Sequence, residues 1–99
     1  FVLVSSTQAQ RPQATNASYA ATKAAAETWT LALADSLAPS GATANIVVVN
    51  AILTPAMRER NPGKEYPAFT PAEDIADAIA YLLSDAAAKM NGARLELHP

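Results

Sequence analysis

Tyr19 and Lys23 stand four residues apart in Ser-Tyr-Ala-Ala-Thr-Lys, and Ser6 lies thirteen residues before the tyrosine, at the end of an apolar run. On a helix, residues four apart share a face, so this spacing sets a phenol beside a cation. A phenol alone is a poor acid or base near neutrality, with an ordinary pKa of about 10. A neighbouring cation favours the phenolate. With a serine hydroxyl as helper, the triplet has the chemistry of a proton donor or acceptor. The same residues also suit a plainer arrangement. Lys23 has a second partner at helical spacing in Glu27, and Ser5-Ser6-Thr7 is ordinary punctuation after a strand.

The elements around the triplet decide which arrangement fits. Phe1–Val4 is apolar and β-branched and reads as a strand buried on both faces. Residues 7–15 are polar, contain Pro12, and read as loop. Asn16 is an N-cap candidate for an alanine-rich helix over 17–38, which Pro39-Ser40-Gly41 ends. On that helix Tyr19 falls in the first turn, where the positive end of the macrodipole also favours an anion. Residues 44–49 read as a second buried strand. A long connection follows over 50–69, with Pro55, Pro62, Gly63 and Pro67.

Thr70-Pro71-Ala72-Glu73 has the form of a capping box with proline at the first helical position. Ile75, Ile79, Leu82 and Leu83 then give an apolar helical stripe. Ser84-Asp85 starts a short further turn, and Asn91-Gly92 leads into a last strand over 94–97. The order β-α-β-α-β predicts an α/β fold with parallel strands. Ser6 then ends its strand on the carboxyl side, where open α/β sheets bind ligands.

Composition narrows the function. The chain has 99 residues, 51% hydrophobic and 16% charged, with a formal net charge of −2. That balance gives no electrostatic reason to expect nucleic acid or an acidic membrane surface. There is no cysteine, and the one histidine, His98, cannot build a metal site alone. No apolar run approaches the ~18–20 residues of a membrane span. No signal peptide is visible, so the cytoplasm is the expected location. The first residues already read as a buried strand and Met is not among them, which points to a piece of a longer protein.

The ordered combination resembles the C-terminal portion of the classical short-chain dehydrogenase/reductase family. Val2 to Ser6 is similar to that family's fifth strand with its serine. Ser18-Tyr19-Ala-Ala-Thr-Lys23-Ala-Ala is similar to its Tyr-x-x-x-Lys helix. Residues 44–49, Ile52-Leu53-Thr54-Pro55, Thr70-Pro-Ala-Glu-Asp-Ile-Ala, Tyr81-Leu-Leu-Ser-Asp85 and Asn91-Gly92 follow in family order. The resemblance spans essentially all of residues 1–99. It implies the C-terminal part of a Rossmann-like three-layer α/β/α fold, the catalytic and substrate side, with the nucleotide-binding half absent.

It further implies an NAD- or NADP-dependent oxidoreductase that interconverts a carbonyl and an alcohol by hydride transfer. In that scheme Tyr19 is the general acid or base. Lys23 supports Tyr19 and holds the nicotinamide ribose hydroxyls. Ser6 binds the substrate oxygen. Ile52 and Thr54 join Tyr19 and Lys23 in contacting the cofactor. The segment 56–69, with Arg58, Arg60, Lys64 and Tyr66, takes the place of a substrate flap.

Two departures stand out. Val49-Asn50 replaces the family's Pro-Gly after the sixth strand. The three glycines, at 41, 63 and 92, cannot form a glycine-rich phosphate turn. The isolated chain is therefore expected to be inactive. The resemblance also implies a homo-oligomer, formed through helix 17–38 and the C-terminal helix and strand. Ala17, Ala21, Ala24, Ala25 and Thr28 allow close helix approach there. Trp29, Leu33 and Leu37 read as core or as interface anchors. The alternative to an enzyme is a non-catalytic oligomerisation module derived from the same fold.

Overall fold

Three strands hold the molecule together, and the middle one is its most buried element. The computed structural model describes residues 1–99. Strand β1 (Val2–Ser6) pairs with β2 (Asn45–Val49), and β2 pairs with β5 (Arg94–Glu96), all parallel. Because β2 is central, every residue from Asn45 to Val49 is buried, which accounts for its run of β-branched side chains. Between β1 and β2 runs helix α1 (Ala17–Leu37). Helix α3 (Ala72–Leu82) precedes β5.

Strand alternation assigns the helices to opposite faces. Val47 and Val49 pack with Ile75 and Leu82 of α3, and Val2 and Val4 join them. Ser5, on the opposite face of β1 from Val4, reaches Glu27 of α1. Thus α3 covers one face and α1 the other, the expected three-layer α/β order. Gly41 (φ 80°) follows the 3₁₀ turn that ends α1, in the left-handed region that glycine adopts without strain.

Several local expectations change. The 7–15 segment is not simple loop: 3₁₀ turns occupy Thr7–Ala9 and Ala14–Asn16. Asn16 precedes α1, but its side chain does not cap it. Its Oδ1 accepts from Gln13 N, and its Nδ2 donates to Gln8 Oε1. The 50–69 connection contains β3 (Ile52–Leu53) and α2 (Pro55–Arg60). Strand β3 pairs in parallel with β4 (Thr70–Pro71), closing an excursion between them. The capping box is not made, because the Thr70 hydroxyl donates to Leu97 O and Pro71, not Thr70, precedes the helix. Leu83 lies outside the buried stripe at 64% exposure. The turn after α3 is 3₁₀, at Asp85–Ala87.

Helix α1 is the larger surprise. Its sheet-facing residues are Ala20, Lys23, Glu27, Thr30 and Ala34, at spacings of three and four. Two of the five are charged, so no apolar stripe marks that face. Trp29 is not core: it is 58% exposed and meets Phe1 edge-on at 5.8 Å between ring centres. Leu33 and Leu37 are half-buried.

The chain is flat and extended rather than spherical, measuring 49 × 34 × 18 Å along its principal axes. Its radius of gyration is 15.0 Å, against about 13 Å for a compact domain of 100 residues. Edge strand β1 has no partner on its outer side. No helix is long and apolar enough to cross a membrane.

Candidate active site

The carboxyl end of β1 opens onto a cleft of about 370 Å³ lined by Val4, Ser5, Ser6, Tyr19, Lys23, Val49, Asn50, Ala51 and Ile52. Strand β1 delivers the serines. Ser5 turns to the α1 face and donates to Glu27 Oε2 at 2.6 Å. Ser6 comes last in the strand, and its Oγ accepts from Gln8 N at 3.1 Å. That bond fixes the oxygen and leaves the hydroxyl hydrogen without a protein acceptor, free to donate into the cleft.

Helix α1 delivers the other two groups. Tyr19 is the third residue of the helix and half-exposed. Lys23, one turn on, places Nζ 5.8 Å from the centre of the Tyr19 ring, within cation–π range. The ammonium also donates to Val4 O at 3.3 Å. A lysine has three N–H donors, so this single bond leaves two for a ligand. The pairing of Lys23 with Glu27 that spacing also allows is not formed. Glu27 is instead buried between Ser5 and Arg94, whose Nε donates to Oε1 at 2.8 Å. Hydrogen bonding to Glu27 holds the Arg94 proton more tightly than in free arginine, against the opposing effect of burial.

Ser6, Tyr19, Lys23 and Ile52 therefore border one cleft. Ile52 is 42% exposed at its rim. Thr54 lies outside the lining, where its Oγ1 caps α2 by accepting from Met57 N at 3.3 Å. The flap residues are occupied elsewhere. Arg58 pairs with Glu73 of α3 at 2.9 Å, Arg60 Nε bonds Ala56 O, and Lys64 sits over the Tyr66 ring. No group of three or more metal-ligating side chains is present.

Several residues in and behind the cleft had no role assigned from the sequence. Ser5 and Arg94 carry no motif of their own, and Glu27 was visible only as a partner for Lys23. Asn50 was visible only as a departure, yet it joins three segments. Its Oδ1 accepts from Thr7 Oγ1 at 2.9 Å, and its Nδ2 donates to Ala68 O at 3.3 Å.

The parallel sheet with a helix on each face and a cleft at the carboxyl end of β1 that holds Ser6, Tyr19 and Lys23 fit the C-terminal portion of a short-chain dehydrogenase/reductase. The sequence matches the family described as enoyl-(acyl carrier protein) reductase over residues 1–97, and the chain belongs to that family. Similar solved structures agree. A glucose/ribitol-type short-chain dehydrogenase/reductase from Brucella melitensis is 32% identical over 96% of this chain, with a TM-score of 0.75. A 3-ketoacyl-(acyl-carrier-protein) reductase from the same organism, complexed with NADH, is 30% identical over 98%, with a TM-score of 0.79. A short-chain dehydrogenase from Burkholderia cenocepacia, in complex with NADP, is 29% identical over 97%, with a TM-score of 0.77. This chain spans 42% of the length of each of these three proteins. No curated protein matches it.

Proposed function

We propose that residues 1–99 form the catalytic and substrate-side portion of an NAD- or NADP-dependent dehydrogenase/reductase that interconverts a carbonyl and an alcohol. One observation carries this reading: Ser6, Tyr19 and Lys23 come from two elements to border one cleft. The residues present suit the nicotinamide end of a dinucleotide. Lys23 keeps two free donors for ribose hydroxyls, and Ile52 offers an apolar surface at the rim. No glycine borders the cleft, and nothing in it can cradle a pyrophosphate.

When bound, the nicotinamide supplies or accepts the hydride. The chain's own residues handle the proton and the charge. In reduction, Ser6 donates a hydrogen bond to the substrate oxygen as negative charge grows there. Tyr19 passes its hydroxyl proton to that oxygen, giving the alcohol. In oxidation Tyr19 takes the proton back. The Lys23 ammonium, 5.8 Å from the centre of the Tyr19 ring, offsets the negative charge that the phenol acquires on giving up its proton.

By the same reading the 99 residues alone do not turn over, because most of the energy of dinucleotide binding comes from the phosphates. The proposal includes a cytoplasmic location and a homo-oligomer built through α1 and the C-terminal helix and strand. A second reading, a non-catalytic oligomerisation module, draws support from Phe1 and Trp29, both exposed and in contact with each other, and from the open edge of β1. Carbonyl-dependent oxidation of NADH or NADPH by the natural polypeptide containing this chain separates the two. Turnover that Tyr19→Phe abolishes supports the enzyme. Turnover that survives Tyr19→Phe rejects the assigned chemistry. Saturable turnover by the 99 residues alone rejects the claim of isolated inactivity.

A further inference from the structure

Glu27 presents a problem of competition. It lies four residues after Lys23 on the same helix face, the usual geometry for an ion pair. A Lys23–Glu27 pair would draw the ammonium down the helix, away from Val4 O and the cleft. The pair does not form because both oxygens of Glu27 are already held. Oε2 accepts from Ser5 Oγ at 2.6 Å, and Oε1 accepts from Arg94 Nε at 2.8 Å. Arg94 is held in turn: its second nitrogen donates to Glu96 Oε1 at 2.8 Å.

A buried carboxylate is a poor way to add stability, since an apolar pair of equal volume commonly serves as well. Here the ion pair spans the sheet. Ser5 is on β1, Glu27 on α1 and Arg94 on β5, with β2 between the two strands. We infer that Arg94 is a positioning residue: by sequestering Glu27 across the sheet, it keeps the Lys23 ammonium at the cleft. This rests on the reading of Lys23 as a working group of that cleft, but its physical content concerns only which partner Lys23 has.

The test uses side-chain NMR of the Lys23 ammonium in the natural polypeptide that contains the chain. Arg94→Gln frees the Glu27 carboxylate from its cation. The Lys23 signal is expected to move, and a Lys23–Glu27 contact to appear. Adding Glu27→Gln removes the competing carboxylate, so in the double variant the signal returns towards its wild-type position. A role confined to folding predicts the reverse, with the double variant no closer to wild type than the single. Ser5→Ala, which frees Oε2 without changing any charge, supplies the smaller shift should Arg94→Gln not fold. An unmoved Lys23 signal in whichever variant folds overturns the inference.

Nicotinamide nucleotide binding by the natural polypeptide that contains the chain gives the functional readout. Arg94→Gln is expected to weaken it about fivefold or more, a typical coupling between linked sites. The double variant is expected to recover most of that loss, and failure to recover overturns the inference. If the wild-type protein binds no nucleotide, the proposed function fails, while the Lys23 signal still decides the present question.

Discussion

Lys23 holds its ammonium 5.8 Å from the centre of the Tyr19 ring while bonding the carbonyl of Val4 at 3.3 Å, so β1 and the Tyr19 phenol share one cation. Removing the phenol hydroxyl should then affect chemistry and not folding, because Tyr19 is half-exposed and its oxygen makes no hydrogen bond within the chain. In the natural polypeptide carrying these residues, Tyr19→Phe is expected to lower kcat by about 10²–10⁴-fold, the usual worth of general acid–base catalysis. Its melting temperature should stay within a degree or two of the wild type, as for other exposed substitutions. Stopped-flow nicotinamide absorbance and a melting curve on the same samples check both halves.

Asn50 occupies the position where the resembled family carries glycine, and its side chain bridges Thr7 Oγ1 and Ala68 O. Asn50→Gly removes both bonds and adds backbone freedom at the cleft floor. The expected loss is about 1–3 kcal/mol of stability, since each bond contributes about 0.5–1.5 kcal/mol net. The segment just before β4 should also exchange its amide hydrogens faster, because the bond to Ala68 is its side-chain tie to the cleft floor. Hydrogen–deuterium exchange over residues 61–69 reads this directly, and unchanged rates there would reject the bridge.

Sequence reasoning succeeded where pattern and packing agree. The run Asn-Ile-Val-Val-Val is buried on both faces because β2 is central, and apolarity alone revealed it. Ile75, Ile79 and Leu82 pack against the sheet as their spacing implied. Helix α1 was legible as a helix, but its buried face was not, because Lys23, Glu27 and Thr30 fill positions where an apolar stripe is expected. Spacing could pair Lys23 with Glu27, but it could not reveal that Arg94, 67 residues further along the chain, takes Glu27 instead. Thr70 shows the same limit. A local capping pattern lost to a bond with Leu97, which only the tertiary fold brings near.

Glu73 gives a pH dependence with a definite sign. Its own backbone N–H, then Arg58, hold its carboxyl below its ordinary 4.5. A carboxyl whose pKa is lower in the folded state stabilises the fold at pH values above its unfolded value. That contribution fades as pH falls through the lower folded value. Glu73 is fully exposed, so the effect is small and screened by salt. Urea midpoints measured between about pH 6 and about pH 3, the range of carboxylate titration, should fall slightly less steeply in Glu73→Gln than in wild type. The difference should shrink in high salt. Parallel curves at low salt would remove Glu73 from the account.

Asn45 offers the largest stability effect among these side chains, and its reason is local. It is 1% exposed, its Oδ1 accepts from Ala93 N at 2.9 Å, and its Nδ2 donates to Met90 O at 2.9 Å. Those two bonds grip the turn that carries Asn91 and Gly92 into β5. Gly92 has a φ of 73°, a conformation other residues resist. Asn45→Ala leaves a part-buried donor, Ala93 N, and a part-buried acceptor, Met90 O, unpaired, at up to about 1–3 kcal/mol for each group left unsatisfied. For a chain of this size each kcal/mol lowers Tm by about 4–8 °C. Asn45→Asp keeps the acceptor for Ala93 but sets a carboxylate against Met90 O, so it should be at least as harmful at neutral pH. Acidification protonates that carboxyl, restoring a donor towards Met90, so the gap between the Asn45→Asp variant and wild type should narrow as pH falls. Melting curves of the two variants across that range check the order. An Asn45→Asp protein as stable as wild type at neutral pH would show that the turn does not depend on the amide.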